Sequence, residues 1–149
     1  MSDVDVISQA ESVIKSLLHK DKYGNDVLDL KTNQIRKFLS AVNAVSNKVS
    51  VFKAANPNEK ELSANIADEI RYLQVMLVYQ IGREKSASKY TGPIEKFENK
   101  AGLIKTIKSI GTSIEAFENF ARYMESLVAY HKYYGGRDWY GKGSKSIKR

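Results

Sequence analysis

The two histidines, His19 and His131, are the side chains best suited to acid–base or metal chemistry, because the chain contains no cysteine. A metalloprotease helix would carry a second histidine four residues away and a glutamate between the two, and neither histidine has such a neighbour. The carboxylates nearest to His131 in the sequence are Glu125 and Asp138. We therefore predict no metal site and no cofactor, and we expect His131 to be a partly buried, hydrogen-bonded structural histidine.

A ribonuclease site is the alternative role for His131. Helical HEPN-type ribonucleases place an arginine, then four to six residues, then a histidine, whereas eight residues separate Arg122 from His131. The chain also lacks the GxxxxGK[ST] phosphate loop and the GxSxG turn of serine hydrolases. We therefore expect a protein that is not an enzyme, and a stand-alone helical ribonuclease that uses Arg122 and His131 is the alternative hypothesis.

Cationic side chains are the remaining candidates for chemistry, since the formal net charge is +7. On the second predicted helix, Lys37 and Lys48 are eleven positions apart and therefore differ by only about 20° around the helix axis. Alanines lie between them, so a phosphate backbone could approach this strip closely. Arg36 flanks the strip and Lys53 extends it. Such a surface is typical of proteins that bind single-stranded nucleic acid, although lysines are common on any exposed helix.

A second stripe of Tyr72, Tyr79 and Arg83 lies on the third predicted helix. Cations and aromatic rings together are the combination that binds single strands, because cations contact phosphates and rings stack on bases. The tyrosines could equally pack against the protein with their hydroxyl groups at the rim, and a cation near a helix C-terminus is favoured by the helix dipole. Both interpretations stay open on the residues alone.

Helical periodicity organises these residues along most of the chain, because apolar side chains recur every three or four positions. We predict an all-α fold, a compact bundle of about five helices with a flexible basic C-terminal tail. Residues 1–136 form the helical-bundle domain and residues 137–149 form the tail, which is either drawn to polyanions or merely solubilising. The longest apolar run, Leu73 to Ile81, is too short to span a bilayer, so we expect a soluble, cytoplasmic protein without membrane contact.

The first two helices are bounded by turn and capping signals. The first is predicted from Asp3 to His19 and ends near the turn cluster of residues 21–26. Thr32 has the type and position of an N-cap for the second helix, which continues to Phe52 and stops before Pro57.

The third helix is predicted to begin at the capping-box pair Asn58 and Glu61. From Leu73 onward this helix is apolar on most faces, which is typical of a centrally buried helix. Residues 83–92 are polar, and we predict a loop there.

The last two helices follow that loop. Pro93 is well placed to open a fourth helix, which Gly102 and Gly111 interrupt. Thr112 or Ser113 then caps the final helix. Its apolar seam consists of Phe117, Phe120 or Ala121, Met124, Leu127 or Val128, and His131.

Three segments of these helices resemble one family in their order and spacing. The segments TNQIRKFLSAVN (32–43), YLQVMLVYQIGRE (72–84) and YMESLVAYHKYYGG (123–136) are similar to the small-subunit (Csm-type) family of type III-A CRISPR effector complexes. The resemblance implies a helical bundle without catalysis of its own, assembled head to tail in several copies beside the backbone subunits that hold the CRISPR RNA. In that family the neighbouring backbone subunit cleaves the target, and the large subunit makes signalling nucleotides.

The resemblance also implies which residues contact RNA, because basic residues of the small subunit line the channel for guide and target RNA. By position in the matching segments these are Arg36, Lys37 and Arg83. Further candidates, chosen for charge and placement, are Lys48, Lys53, Arg71, Lys85 and Lys89. The expected partners are CRISPR RNA, single-stranded target RNA, the backbone and large subunits, and further copies of this chain. A scaffold that contacts proteins only is a third interpretation.

Overall fold

A computed structural model describes residues 5–136, so the predicted tail lies outside the described residues. The helices are α1 (Val6–Leu17), α2 (Thr32–Ala55), α3 (Ala64–Ala87), α4 (Pro93–Ala101), α5 (Leu103–Ile110) and α6 (Ile114–Tyr133). Two short strands, β1 (His19–Lys20) and β2 (Asp26–Val27), form an antiparallel hairpin between α1 and α2. The all-α prediction is confirmed. Six helices are described rather than five, because the interrupted fourth helix is two separate helices.

The final helix, α6, lies at the centre of the core and packs against α1, α2 and α5. Phe120, Met124 and Leu127 are completely buried along its seam, as the periodicity predicts. Burying an apolar side chain of this size stabilises the fold by about 1.5–3 kcal/mol. The Ser113 hydroxyl accepts a hydrogen bond from the Ala116 N–H, so the predicted cap of α6 is confirmed.

The first helix ends at Leu17 rather than at the predicted His19. His19 and the next residue leave the helix because they pair with β2 across the hairpin. The predicted turn cluster is the tip of this hairpin, where the Asp21 carboxylate accepts hydrogen bonds from two backbone N–H groups. Gly24, at φ 85°, takes the left-handed conformation that this tight turn requires.

The start of α2 differs from the prediction by one residue. Thr32 is the first helical residue and not the N-cap, which is Lys31. The Gln34 side chain accepts a hydrogen bond from the Lys31 N–H at 2.9 Å, whereas the Lys31 side chain caps no N–H of the first turn. Thr32 is instead buried, and its hydroxyl has no hydrogen-bond partner among residues 5–136.

The predicted start of α3 at Asn58 is wrong, because the helix begins only after Ser63. The Ser63 hydroxyl caps the first turn. The preceding residues are extended instead of helical: the Leu62 N–H donates to the Thr112 carbonyl at 2.7 Å, and the Thr112 hydroxyl donates to the Glu61 carboxylate. Pairing with the loop before α6 therefore overrides the local capping-box pattern of this segment.

The prediction that α3 is centrally buried is also wrong. Ile70, Leu73 and Leu77 are buried against the neighbouring helices, whereas the opposite side of α3 faces outward with its tyrosines and valines exposed. The central position belongs to α6, and α3 packs on one side only, against α2, α4 and α5. The helix also continues to Ala87, into the predicted loop, and leaves residues 88–92 as the connection.

The interruption at Gly102 is confirmed, since this residue adopts a left-handed conformation that ends α4 and begins α5. Glycine has no side chain to cap α5, and the Glu98 carboxylate supplies the missing acceptors. Its two oxygens accept hydrogen bonds from the Leu103 N–H at 3.0 Å and the Ile104 N–H at 2.9 Å. Burial raises the pKa of Glu98 above its ordinary value, and these two hydrogen bonds partly oppose that rise.

Candidate nucleic-acid interface

The structure brings Lys37 and Arg83 together at a groove between the first turns of α2 and the last turns of α3. The groove has a volume of about 350 Å³. Both side chains are exposed, and neither has a carboxylate within salt-bridge distance among residues 5–136. The groove is lined by Asn33, Gln34, Lys37, Gln80, Arg83, Glu84, Ala87 and Ile94. Two cations from distant parts of the sequence therefore share one concave surface.

Glu84 is the acidic side chain in the lining of this groove, but its carboxylate is already engaged. One oxygen accepts a hydrogen bond from the Ile94 N–H at 2.8 Å, and the other accepts from the Glu95 N–H at 3.1 Å. Both N–H groups belong to the first turn of α4, where they have no acceptor within the helix and Gly92 offers no capping side chain. A Cβ atom on Gly92 would lie 2.4 Å from the Glu84 carboxylate, so this close approach requires glycine. The α4 N-terminus thus offsets the negative charge of Glu84 and leaves the groove cationic.

Arg83 also contacts the outer side of α3. Its guanidinium carbon lies 5.9 Å from the centroid of the Tyr79 ring, within the range of a cation–π interaction. A second, shallow depression beside the groove is lined by Tyr79, Gly82, Arg83, Ser86 and Ala87. Arg83 therefore borders both depressions.

Lys48 and Lys53 have intramolecular partners. The Lys48 ammonium lies 2.8 Å from both carboxylate oxygens of Glu69, and the Lys53 ammonium lies 2.7 Å from the Glu118 carboxylate. The predicted strip from Lys37 to Lys48 lies on one helix, as expected, but its Lys48 end adjoins acidic residues of α3. The structure therefore does not give this strip an unpaired cation at each end.

Of the other four predicted cations, two are paired with carboxylates and two are not. Arg71 lies 3.7 Å from Asp68, and Lys85 lies 3.7 Å from Glu95. Arg36 and Lys89 are exposed and form no salt bridge within residues 5–136. Of the eight sequence candidates, Lys37 and Arg83 line the groove, Arg36 and Lys89 lie outside its lining, and the remaining four are paired with carboxylates.

The residues of the alternative ribonuclease site do not converge. His131 is buried, with Nε2 2.7 Å from the Leu30 carbonyl oxygen, and Gly136 packs against its ring. Arg122 bonds instead to the Asn119 side chain at 2.9 Å. Nine positions along one helix place Arg122 and His131 on opposite sides of α6, about 13 Å apart along its axis. The interpretation of His131 as a hydrogen-bonded structural histidine is confirmed, although the ring is fully rather than partly buried. The structure gives the ribonuclease interpretation no shared site.

His19 has a carboxylate neighbour but no metal-binding cluster. Its Nε2 atom lies 2.9 Å from the Asp29 carboxylate, and this hydrogen bond raises the pKa of His19. Both side chains are about half exposed. Within residues 5–136 there is no group of three or more histidine, cysteine, aspartate or glutamate side chains placed to hold a metal ion.

Sequence reasoning missed the capping roles of Glu84 and Glu98. The available signal is a glycine directly before a helix, at Gly92 and Gly102, because a helix that begins after glycine lacks a local side-chain cap. In both cases a glutamate of the preceding helix supplies the acceptor. The sequence alone could indicate that an acceptor was needed, but not which carboxylate would reach it.

Taken together, the fold and the site define a small helical bundle whose cationic groove is formed by two of its longest helices. None of the helices within residues 5–136 combines the length and the hydrophobicity that a membrane span requires. Comparison with known proteins then shows the family, since the sequence model of type III-A Csm2 matches residues 9–137.

Curated relatives agree with this match. The "CRISPR system Cms protein Csm2" of Streptococcus thermophilus is 34% identical over 138 residues, which cover 93% of this chain and 98% of the relative. The protein of that name from Mycobacterium tuberculosis is 34% identical over 134 residues, covering 90% and 94%. A third, from Enterococcus italicus, is 33% identical over 106 residues, covering 70% and 68%. The chain therefore belongs to the Csm2 family, the small subunit of type III-A CRISPR complexes, and the resemblance drawn from the three segments is confirmed.

Proposed function

We propose that this chain is a non-catalytic subunit that holds guide and target RNA through the groove between α2 and α3. It assembles in several copies with the backbone and large subunits of a cytoplasmic effector complex. The observation that carries the proposal is the convergence of Lys37 and Arg83, one from each of two separated sequence segments, on one groove. Family membership supplies the assembly in which such a groove would meet RNA.

The groove suits a phosphate backbone more than a particular base sequence. Arg83 presents a planar guanidinium that can bind a phosphate through two hydrogen bonds, and Lys37 presents a compact charge. Contacts to phosphate fix the position of a strand without reading its sequence. This fits a subunit whose complex takes its sequence specificity from base pairing between guide and target.

The eight candidate residues contribute unequally in this proposal. Lys37 and Arg83 make the first contacts, and Arg36 and Lys89 extend the cationic surface beyond the groove. Each of the four paired cations must release a carboxylate before it can bind a phosphate, so its net contribution is smaller. These four are Lys48, Lys53, Arg71 and Lys85.

Affinity purification of the tagged chain from its native host tests the proposal. At moderate salt we expect CRISPR-derived RNA, the large and backbone subunits, and several copies of this chain per complex. Recovery of the chain without RNA and without those subunits would contradict the proposal.

Charge reversal separates RNA binding from a protein-only scaffold. A Lys37→Glu, Arg83→Glu double variant should retain less RNA than the wild type. A Lys48→Glu, Lys53→Glu double variant is the control, because it changes the net charge equally at lysines that already pair with Glu69 and Glu118. If the double variant retains all of the RNA and all of the partner subunits, the chain is a protein-only scaffold.

A further inference from the structure

The outer side of α3 exposes a cluster of large side chains with apolar surface. Tyr72, Val75, Val78 and Tyr79 are 62%, 49%, 52% and 65% exposed. All four lie within just over two turns of one helix, and the described residues of the chain do not cover them. Such a concentration of exposed apolar and aromatic surface indicates an interaction site.

Tyr79 differs from the other three because open space and a cation adjoin its ring. Gly82 lies on the next turn, and a Cβ atom there would meet no described heavy atom within 4 Å other than its chain neighbours and the backbone of α3 itself. The Arg83 guanidinium lies 5.9 Å from the centre of the Tyr79 ring. The shallow depression formed by these residues and the small side chains that follow has a volume of about 500 Å³.

We propose that Tyr79 is a stacking platform for one unpaired base of a bound RNA strand, with Gly82 leaving the space that the base occupies. The inference rests on the proposed RNA-binding function and adds a second kind of contact to it. Arg83 borders both the cationic groove and the Tyr79 depression, so a nucleotide whose phosphate binds Arg83 can place its base on the neighbouring ring. Stacking of this kind is tolerant of sequence, because every base presents a π-face.

Charge favours RNA over a protein partner at Tyr79, and it disfavours RNA at Tyr72. Although Tyr72 is almost as exposed, it lines a different groove together with Asp68 and Glu69. Asp68 and Glu69 pair there with Arg71 and Lys48, so the Tyr72 end offers phosphates no unpaired cation, whereas the Tyr79 end is bordered by the unpaired Arg83. Tyr72 is therefore a matched control on the same helix face.

Fluorescence anisotropy with the full chain and a labelled single-stranded RNA of about 12 nucleotides tests the proposal. We expect Tyr79→Ala to weaken binding by about 5- to 150-fold, the range for loss of one stacked base. Tyr79→Phe should keep the wild-type affinity, because it keeps the ring, and Tyr72→Ala should also bind like the wild type. Circular dichroism melting of each variant checks that the bundle is folded.

Two further measurements isolate stacking. On an RNA of the same length with abasic positions, Tyr79→Ala and the wild type should bind equally, because no base is present to stack. Gly82→Leu should weaken binding to the normal RNA by filling the depression, and Gly82→Ala, which adds a single methyl group, should weaken it less.

The outcomes also distinguish this inference from the proposed function. If Lys37→Ala and Arg83→Ala weaken binding but Tyr79→Ala does not, the stacking inference is wrong and the cationic groove stands. If none of the three changes affects RNA affinity, both are wrong. If Tyr79→Ala reduces the recovery of partner subunits without changing RNA affinity, the exposed side of α3 is a protein-docking surface, which also overturns the inference.

Discussion

Removing Lys37 and Arg83 should change the salt dependence of RNA binding, not merely its strength. A cation that contacts a phosphate displaces condensed counterions, and each such contact on a single strand contributes a slope of about −0.7 to log K against log salt. Lys37 and Arg83 are exposed, line one groove and have no described carboxylate partner. Changing either to alanine should therefore make the slope shallower by about 0.7, and changing both by about 1.4.

The expected loss of RNA affinity with added salt is calculated from the candidate cations that have no salt bridge within residues 5–136. These four are Arg36, Lys37, Arg83 and Lys89. Four contacts predict that the wild type loses about 50-fold in affinity between about 50 and 200 mM salt. The double alanine variant, with two contacts, should lose about sevenfold over the same range. At about 0.1 M salt each lost contact weakens binding about fivefold, and both together about 25-fold.

Anisotropy titrations of the full chain at several salt concentrations measure these slopes directly. Lys48→Ala is the control, because it removes the same formal charge from a side chain that is held 2.8 Å from Glu69. Its slope should match that of the wild type. An equal loss of slope in Lys48→Ala and Lys37→Ala would refute the reasoning, because overall charge and not the groove would then govern binding.

Three further predictions concern the fold. Tyr123→Phe removes a buried hydrogen bond of 2.8 Å to the Ala101 carbonyl and should lower the free energy of unfolding in urea by about 1 kcal/mol, whereas exposed Tyr133→Phe should change nothing. Thr32→Val removes a buried hydroxyl group without a described partner, so it should leave the unfolding free energy unchanged or raise it by up to about 1 kcal/mol; a clear loss would show that the hydroxyl is bonded. Burial raises the pKa of Glu98, so the folded state binds this proton more tightly than the unfolded state does. Stability of the wild type relative to Glu98→Gln should therefore rise as the pH falls from about 7 to about 4, and a relative loss over that range in urea unfolding would contradict the assigned burial.

Local patterns were sufficient to predict most helices but not all their ends. The seam of α6 and its Ser113 cap follow from side-chain periodicity and capping chemistry within a few residues. The start of α3 does not, because the segment around Leu62 bonds to Thr112, which is fifty positions away in the sequence. The capping-box pattern at Asn58 involves only residues three positions apart, so it cannot indicate a contact with a distant segment. Exposure of one side of α3 likewise depends on which helix occupies the centre of the bundle.

The candidate site was predictable to a similar degree. Lys37 and Arg83 belong to two separate sequence motifs, and each of these residues is predicted from its motif to contact RNA. That both residues line one groove depends on how α2 packs against α3. Lys48 appeared equivalent to Lys37 by helical angle. The difference between the two lysines arises from Glu69, which is 21 positions beyond Lys48 in the sequence and becomes its neighbour only when the helices pack.

The hydrogen bonds of Glu84 have a consequence for the kinetics of binding. Glu84 directly follows Arg83, and its carboxylate joins the last turns of α3 to the first turn of α4. A binding surface that is already ordered before its ligand arrives loses little conformational entropy on association. Its association rate constant is not limited by a conformational rearrangement. Association should then be fast and occur in a single step. Replacing Gly92, whose missing side chain permits the Glu84 contact, should displace the Glu84 carboxylate from the α4 N-terminus and slow the on-rate. The formal charge of the groove is then unchanged, but the α4 N-terminus no longer offsets Glu84.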